Sequence, residues 1–249
     1  MLELKNITKV YGKKAALQDV SVAFAPGQIV GLFGENGAGK TTLMKCILGL
    51  IGHRGEVTLD GEALGCGNIA RISFATCEHS FFPRLSPKAH REFYREHFPR
   101  FNDKRFEALM DFFGLPMDKA LRSYSVGMQN QFEVVLALSQ GADYILMDEP
   151  FSAVDHLTKC TLQEELINIR QAENKTVLFV THDINEAVFL ADRVVLLSPR
   201  PSTIQKIYEI PLEQKRGRSD PLLLKIAAEI AKDINSGGQD IPNNYWGNL

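Results

Sequence analysis

The run Gly34-Glu35-Asn36-Gly37-Ala38-Gly39-Lys40-Thr41-Thr42 combines backbone freedom, one cation and two hydroxyls at a spacing that suits a chain of phosphates. It follows the apolar segment 28–33 and precedes a helix expected over Lys40 to Leu50, the strand–turn–helix setting that the G-x-x-x-x-G-K-[ST] motif requires. Gly34, Gly37 and Gly39 let the chain turn tightly, so that the N–H groups of Glu35, Asn36, Ala38 and their neighbours through Thr42 aim inward at phosphate oxygens. The helix that follows places its positive end under the same anion. Lys40 adds a point charge at the β/γ-phosphates, and the Thr41 hydroxyl is positioned to hold Mg²⁺. A turn that merely joins strand to helix has no need of Lys-Thr after its last glycine.

Two carboxylates close a second apolar run, Tyr144–Pro150. A strand ending on Asp148 can bring that carboxylate to a magnesium shell. Glu149, one residue later, points elsewhere and can orient or deprotonate a water. Paired acids after a strand are often only a helix cap or a solvated turn; the loop at 34–42 raises this pair to candidate site residues. Ser125–Gln129 opens another helix, where Ser125 and Gly127 form a second anion site or, read alone, an ordinary N-cap. His182 follows the apolar run 175–180 and is placed to hydrogen-bond a terminal phosphate from the carboxyl edge of the sheet.

The elements that must position these groups are legible around them. Short β segments are expected at Leu2–Ile7, Val20–Phe24 and Gln28–Phe33, and Asp60-Gly61 marks a hairpin after 55–60. Residues 86–140 change character. Ser86-Pro87 is a helix start, and Asn102 opens a helix whose Phe106, Leu109, Met110 and Phe113 share a face until Gly114 and Pro116 end it. After this helical insert, strands at 143–147, 175–180 and 193–198 alternate with helices at 156–171 and 183–191, the pattern of a mainly parallel sheet with covering helices.

Bulk properties exclude several classes. The chain of 249 residues is 45% apolar, enough for a substantial core. A net charge of −2, with both signs mixed, argues against a large nucleic-acid footprint. No apolar run approaches the roughly 20 residues that span a bilayer, and Met1–Lys5 has no leader-peptide pattern. Cys46, Cys66, Cys77 and Cys160 are scattered, so neither zinc nor a disulfide framework is indicated. A cytosolic protein is expected.

Taken in order, these motifs resemble the ATP-binding cassette family, the nucleotide-binding subunits of ABC transporters. Gly34–Thr42 is similar to Walker A, Ser125–Gln129 to the signature loop and Ile145–Pro150 to Walker B. Ser152–Asp155 is similar to the D-loop and His182 to the switch histidine; Tyr11, in isolation a strand-end tyrosine, matches the aromatic that stacks on adenine. The resemblance implies an α/β P-loop NTPase with an ABC-type core over 1–85 and 141–210. That core has an N-terminal antiparallel β subdomain, an inserted helical subdomain at 86–140, and a C-terminal helix and tail at 211–249. It implies ATP and Mg²⁺ as cofactors, Lys40, Glu149 and His182 as catalytic residues, and Thr41 and Asp148 as metal ligands. It further implies a head-to-tail dimer with a second ATPase subunit, in which Ser125 and Gly127 close over the γ-phosphate held by Lys40 of the other copy. The remaining implied partners are a separate transmembrane permease at the inner face of the membrane and, through it, an extracytoplasmic binding protein; no nucleic acid is expected.

Two departures stand out. The usual L-S-G-G-Q is Tyr124–Met128 here, with Val126 in place of a glycine. Cys77 stands where the family carries a glutamine that touches Mg²⁺ or the attacking water, with Glu78 adjacent. A thiol cannot replace an amide's paired donor and acceptor, so slower hydrolysis or looser coupling with ATP binding intact is the expectation. On direction, 148–155, 185–201 and 218–224 resemble importer ATPases of the nitrate/sulfonate/taurine group, whereas 91–124 looks more like small bacterial exporters. The reading taken is an importer-type subunit, with an exporter-type or a soluble non-transport ATPase as alternatives. Segment 219–234 is read as a helix packed on the cassette's own surface through Leu223, Ile226, Ala227, Ile230 and Ile234, and the last residues, with Trp246, as a loosely held tail.

Overall fold

The structure is a computed structural model and describes residues 1–76, 78–152, 154–211, 217, 218 and 220–237. Cys77, Ala153 of the D-loop, Ser219 and the tail carrying Trp246 lie outside the described residues.

Strands β1 (Leu2–Tyr11), β2 (Lys14–Phe24), β4 (Arg54–Leu59) and β5 (Glu62–Ala63) form an antiparallel sheet in the order β2-β1-β4-β5. The turn between β4 and β5 is built on Asp60 and Gly61, both at positive φ (53° and 85°), as a tight two-residue hairpin requires. The second sheet runs β10-β9-β3-β8-β7-β6. Its strands β3 (Ile29–Phe33), β6 (Ile72–Ala75), β7 (Tyr144–Asp148), β8 (Thr176–Val180) and β9 (Arg193–Leu197) are parallel, and only β10 (Ile204–Glu209) is antiparallel. The apolar pattern does not mark β6 or β10, and β1 and β2 run longer than their apolar stretches because charged residues occupy their exposed positions.

Alternate residues of the parallel strands face two separate cores, as a sheet covered on both sides demands. Val30 and Leu32 of β3, with Leu178 and Val180 of β8, pack toward the antiparallel sheet and α1 (Lys40–Ile47). Ile29, Phe33, Val177 and Phe179 pack on the opposite side with the helical insert. Helix α1 is shorter than the 40–50 expected. Gly49 at φ 67° and the bonds Gly49 N–H to Cys46 O and Leu50 N–H to Lys45 O close it early, a left-handed glycine stop.

The insert carries α2 (Pro87–His97), α3 (Asp103–Phe112) and α4 (Val126–Ser139), each capped by its own side chain: Ser86, Asn102 and Ser125 accept from Ala89, Arg105 and Met128 N–H. Helix α5 (His156–Glu173) starts on Asp155 and α6 (Ile184–Leu190) on Asp183. Helix α7 (Pro221–Gly237) buries Leu223 and Ile230, with Ile226, Ala227 and Ile234 packed partly against the same core. Lys206 and Tyr208 of β10 both reach Asp233 of α7 and hold the helix down. Among the described residues no helix is long and apolar enough to cross a membrane.

Gly141 joins α4 to β7 at φ 82°, and a Cβ there would lie 2.0 Å from the Arg100 carbonyl oxygen. Gly141→Ala is therefore expected to destabilise the chain by at least about 1–3 kcal/mol, measured as a lowered midpoint of urea unfolding.

Candidate active site

The phosphate loop sits between β3 and α1, and its shape is fixed from below. Gly39 adopts φ 81° at the α1 N-terminus, where a Cβ would press to 2.9 Å from the Leu17 side chain. Gly37, at φ 85°, has open space above it, so the left-handed turn alone asks for glycine there. A Cβ at Gly34 would meet the Leu197 carbonyl oxygen at 3.2 Å. Ser202, fully buried, donates its hydroxyl to Ala38 O at 2.6 Å and clamps the loop from a segment with no evident motif. The Ala38 N–H closes on Glu35 O at 3.0 Å. Asn36 lies on the exposed crest of the loop, and Thr42 is buried in the first turn of α1.

Lys40 is almost entirely buried, and its ammonium donates to Gly34 O at 2.7 Å and Glu35 O at 3.0 Å. Burial holds its pKa below the usual lysine range, opposed by the nearby Glu149 and Asp148 carboxylates. Thr41 Oγ1 donates to Asp148 Oδ2 at 2.7 Å. Asp148 is 5% exposed, and burial raises its pKa against the Thr41 hydrogen bond, with Glu149 adding to the rise. A buried carboxylate joined to a hydroxyl, both hard oxygen donors, fits Mg²⁺, whose charge would relieve the cost of keeping Asp148 ionised.

Glu149 follows at φ 51°, a conformation that turns its side chain away from the line of β7. Its N–H bonds to Val180 O, and its carbonyl accepts from Ser152 N–H and Oγ, so the turn is pinned on both sides. Glu149 Oε1 lies 3.4 Å from Nδ1 of His182. The two line an open cleft together with Ser152, His156, Lys159, Thr181, Asp183 and Glu186.

The residues expected from sequence thus divide in space. Residues 34–42, Asp148, Glu149 and His182 converge at the carboxyl edge of the parallel sheet. Tyr11 stands apart at the end of β1, 48% exposed, its ring beneath the Lys9 ammonium at 4.9 Å. Ser125 and Gly127 sit at the α4 N-terminus, and among the described residues no hydrogen bond joins them to the phosphate loop. Val126 between them is 69% exposed.

Sequence reasoning missed three supports. Lys45 of α1 makes two bonds to Glu78, at 2.7 and 2.8 Å. Lys159 of α5 reaches Glu186 and Asp183 of the α6 entry, and Thr181 Oγ1 also donates to Glu186. Neither pair has a spacing that marks it, because each joins elements distant in the chain. The third is Ser202.

A family model described as ABC transporter matches residues 17–152, more than half of the chain. The chain belongs to the ABC transporter ATP-binding family. The aliphatic sulfonates import ATP-binding protein SsuB 2 of Burkholderia cenocepacia is 34% identical over 95% of this chain and 87% of its own length. The SsuB protein of Bacillus cereus is 29% identical over 95% of this chain and 97% of its own length. A dimeric, post-hydrolysis ATP-binding cassette bound to ADP and Pi superposes with a TM-score of 0.74 at 24% identity, covering 86% of this chain and all of that one, which fixes the fold. This ABC protein is an ATP-binding and ATP-hydrolysing subunit of a transporter.

Because Asp148 is held above the ordinary carboxyl range, its ionised form costs stability that returns only as pH falls through that raised value. Asp148→Asn is expected to raise the unfolding temperature of the nucleotide-free chain at pH 8, and to abolish the further rise that Mg²⁺ and ATP give the native chain. Differential scanning fluorimetry with and without Mg²⁺-ATP reads both.

Proposed function

We propose that this chain powers an importer-type permease by closing head to tail on a second ATPase subunit, with an ATP at each joint. The observation that carries this reading is the separation of its two anion sites. The phosphate loop lies at the sheet edge, while Ser125 and Gly127 face outward from the insert, with no bond to it among the described residues. Each site is half of what a bound γ-phosphate needs, and a second subunit in reverse orientation supplies the other half.

In this reading Lys40 exchanges its bonds to Gly34 O and Glu35 O for phosphate oxygens, beside the amides of residues 35–42. Thr41 and Asp148 would hold Mg²⁺, which when bound offsets charge on the phosphates. Glu149 takes a proton from the attacking water, and His182, 3.4 Å away, donates to the γ-phosphate and keeps Glu149 oriented. Tyr11 offers its exposed ring to the adenine. Ser125 and Gly127 close over the partner's phosphate and open again after hydrolysis. Import rather than export is supported by the relatives, which are named as import ATP-binding proteins over nearly all of this chain. The permease, and an extracytoplasmic binding protein behind it, follow from that direction, with the chain seated on the inner face of the membrane.

Glu149→Gln is expected to bind ATP normally, to lose on the order of 10²–10⁴-fold in turnover, and to run as a dimer in Mg²⁺-ATP by size-exclusion chromatography. Turnover like that of the native chain would sink the reading. Mass spectrometry of partners co-purified from gently solubilised membranes tests direction: a permease with an extracytoplasmic binding protein supports import, and a permease without one overturns it. Cys77→Gln is expected to raise kcat several-fold, by restoring the amide that the family resemblance calls for at this position; an unchanged rate in the presence of the permease would show Cys77 to be neutral.

A further inference from the structure

Helix α4 carries a carboxylate with no evident part in nucleotide binding. Glu133 is 1% exposed, and among the described residues no lysine or arginine pairs with it. It bonds instead to the loop that leaves β6. The Ser80 N–H donates to Oε1, and the Ser80 hydroxyl donates to Oε2 at 2.9 Å. A buried carboxylate held by one serine of a neighbouring loop, with no cation beside it among the described residues, is a costly arrangement that a packing role alone does not require.

The position of that loop gives the arrangement a use. Ala75, the last residue of β6, pairs with Met147 of β7, so Thr76 leaves the sheet beside Asp148. Glu78 is tied by its two bonds to Lys45 on α1, two residues before the segment that Glu133 holds. On the insert side, Phe82 N–H donates to Nε2 of His90 at 3.0 Å, and His90 Nδ1 lies 2.9 Å from Ser86 O, which fixes the neutral ring with its proton on Nδ1. The loop therefore spans from the phosphate-loop helix to the insert, and its insert end is grasped by the helix that begins at Ser125.

We propose that Glu133 is a positioning residue for ATP hydrolysis, its carboxylate tethering the loop at Ser80 to α4 so that the loop beside Asp148 and the Ser125–Gly127 anion site move as one body. The proposal rests on the ATPase assignment and adds a control to it. Burial pushes the Glu133 carboxyl up to about 7, against the pull of the loop's hydrogen bonds. Tyr94 of α2 faces it, His79 precedes the Ser80 that it bonds, and His90 of α2 packs on Phe132 next to it in α4. Burial holds both histidines below their ordinary value and pushes Tyr94 up to about 12, so none of the three titrates between pH 7 and 9. As pH falls through 7, Glu133 gains a proton and loses acceptor capacity for Ser80, and the tether slackens. Stability moves the opposite way. A carboxyl raised from its unfolded value costs stability when ionised, and that cost disappears as pH falls toward the unfolded value.

That opposition separates a tether from a packing residue. The test compares the full native chain with Glu133→Gln and Glu133→Ala by ATP turnover from pH 6 to 9, unfolding temperature, and amide exchange over residues 78–82. Glu133→Gln, isosteric but uncharged, is expected at pH 8 to unfold at a higher temperature than the native chain. It should also turn over about tenfold more slowly, with KM for ATP within about twofold, and lack the rise in kcat through pH 7. Glu133→Ala is expected to lose about tenfold in protection at Ser80 and Phe81, with α1 and β7 unchanged; should it not fold, the Gln variant carries the decision. A Gln variant with native kcat and a native pH profile, or one in which activity simply follows a fall in unfolding temperature, overturns the proposal. A native chain without ATP turnover would overturn the ATPase assignment instead, and amide exchange would still read the tether.

Discussion

The bond from Thr41 Oγ1 to Asp148 Oδ2 joins the helix that follows β3 to the end of β7, two strands that are not neighbours in the sheet. Strand β8 lies between β3 and β7, and the bond forms only because the three parallel strands keep one register: Leu32 stands opposite Val180, and Val180 opposite Asp148. A slip of one residue in β8 would turn Val177 and Phe179 into the wrong core and carry Thr181 and His182 out of line with Glu149. Register is thus held by the two apolar faces, and the placement of the phosphate loop, both acids and the histidine follows from it. The catalytic edge is a by-product of how the sheet is buried.

This dependence explains what could be read from the chain and what could not. The loop at 34–42 was legible because glycines, lysine and threonine are contiguous, and local geometry demands them. Asp148, Glu149 and His182 were legible as strand ends, since a buried strand announces itself by an unbroken apolar run and its carboxyl end is where side chains escape the core. Ser202 under the loop, Lys159 bridging to Glu186, and Glu133 holding Ser80 have no such signature. Each is a long-range contact whose partner is chosen by the fold. The lengths of β1 and β2, and the existence of β10, were likewise set by pairing with neighbours rather than by apolar content.

The two cores divide the labour. One glues the antiparallel sheet and α1 to the parallel sheet, and so builds a firm floor under the phosphates. The other joins the parallel sheet to the insert, α6 and α7, whose outer layers are helices capped by single side chains. Motion between the halves falls naturally on the second, because helix packing yields by small sliding where a hydrogen-bonded sheet does not.

The resting bonds of Lys40 bear on how quickly nucleotide is captured. With its ammonium already satisfied by Gly34 O and Glu35 O, the loop keeps its curvature before any anion arrives. Capture then becomes an exchange of oxygen partners around a side chain whose rotamer is already chosen, rather than the ordering of a slack segment. Association under those terms is governed by diffusion and local charge, and differences among nucleoside di- and triphosphates would be written in how long each stays.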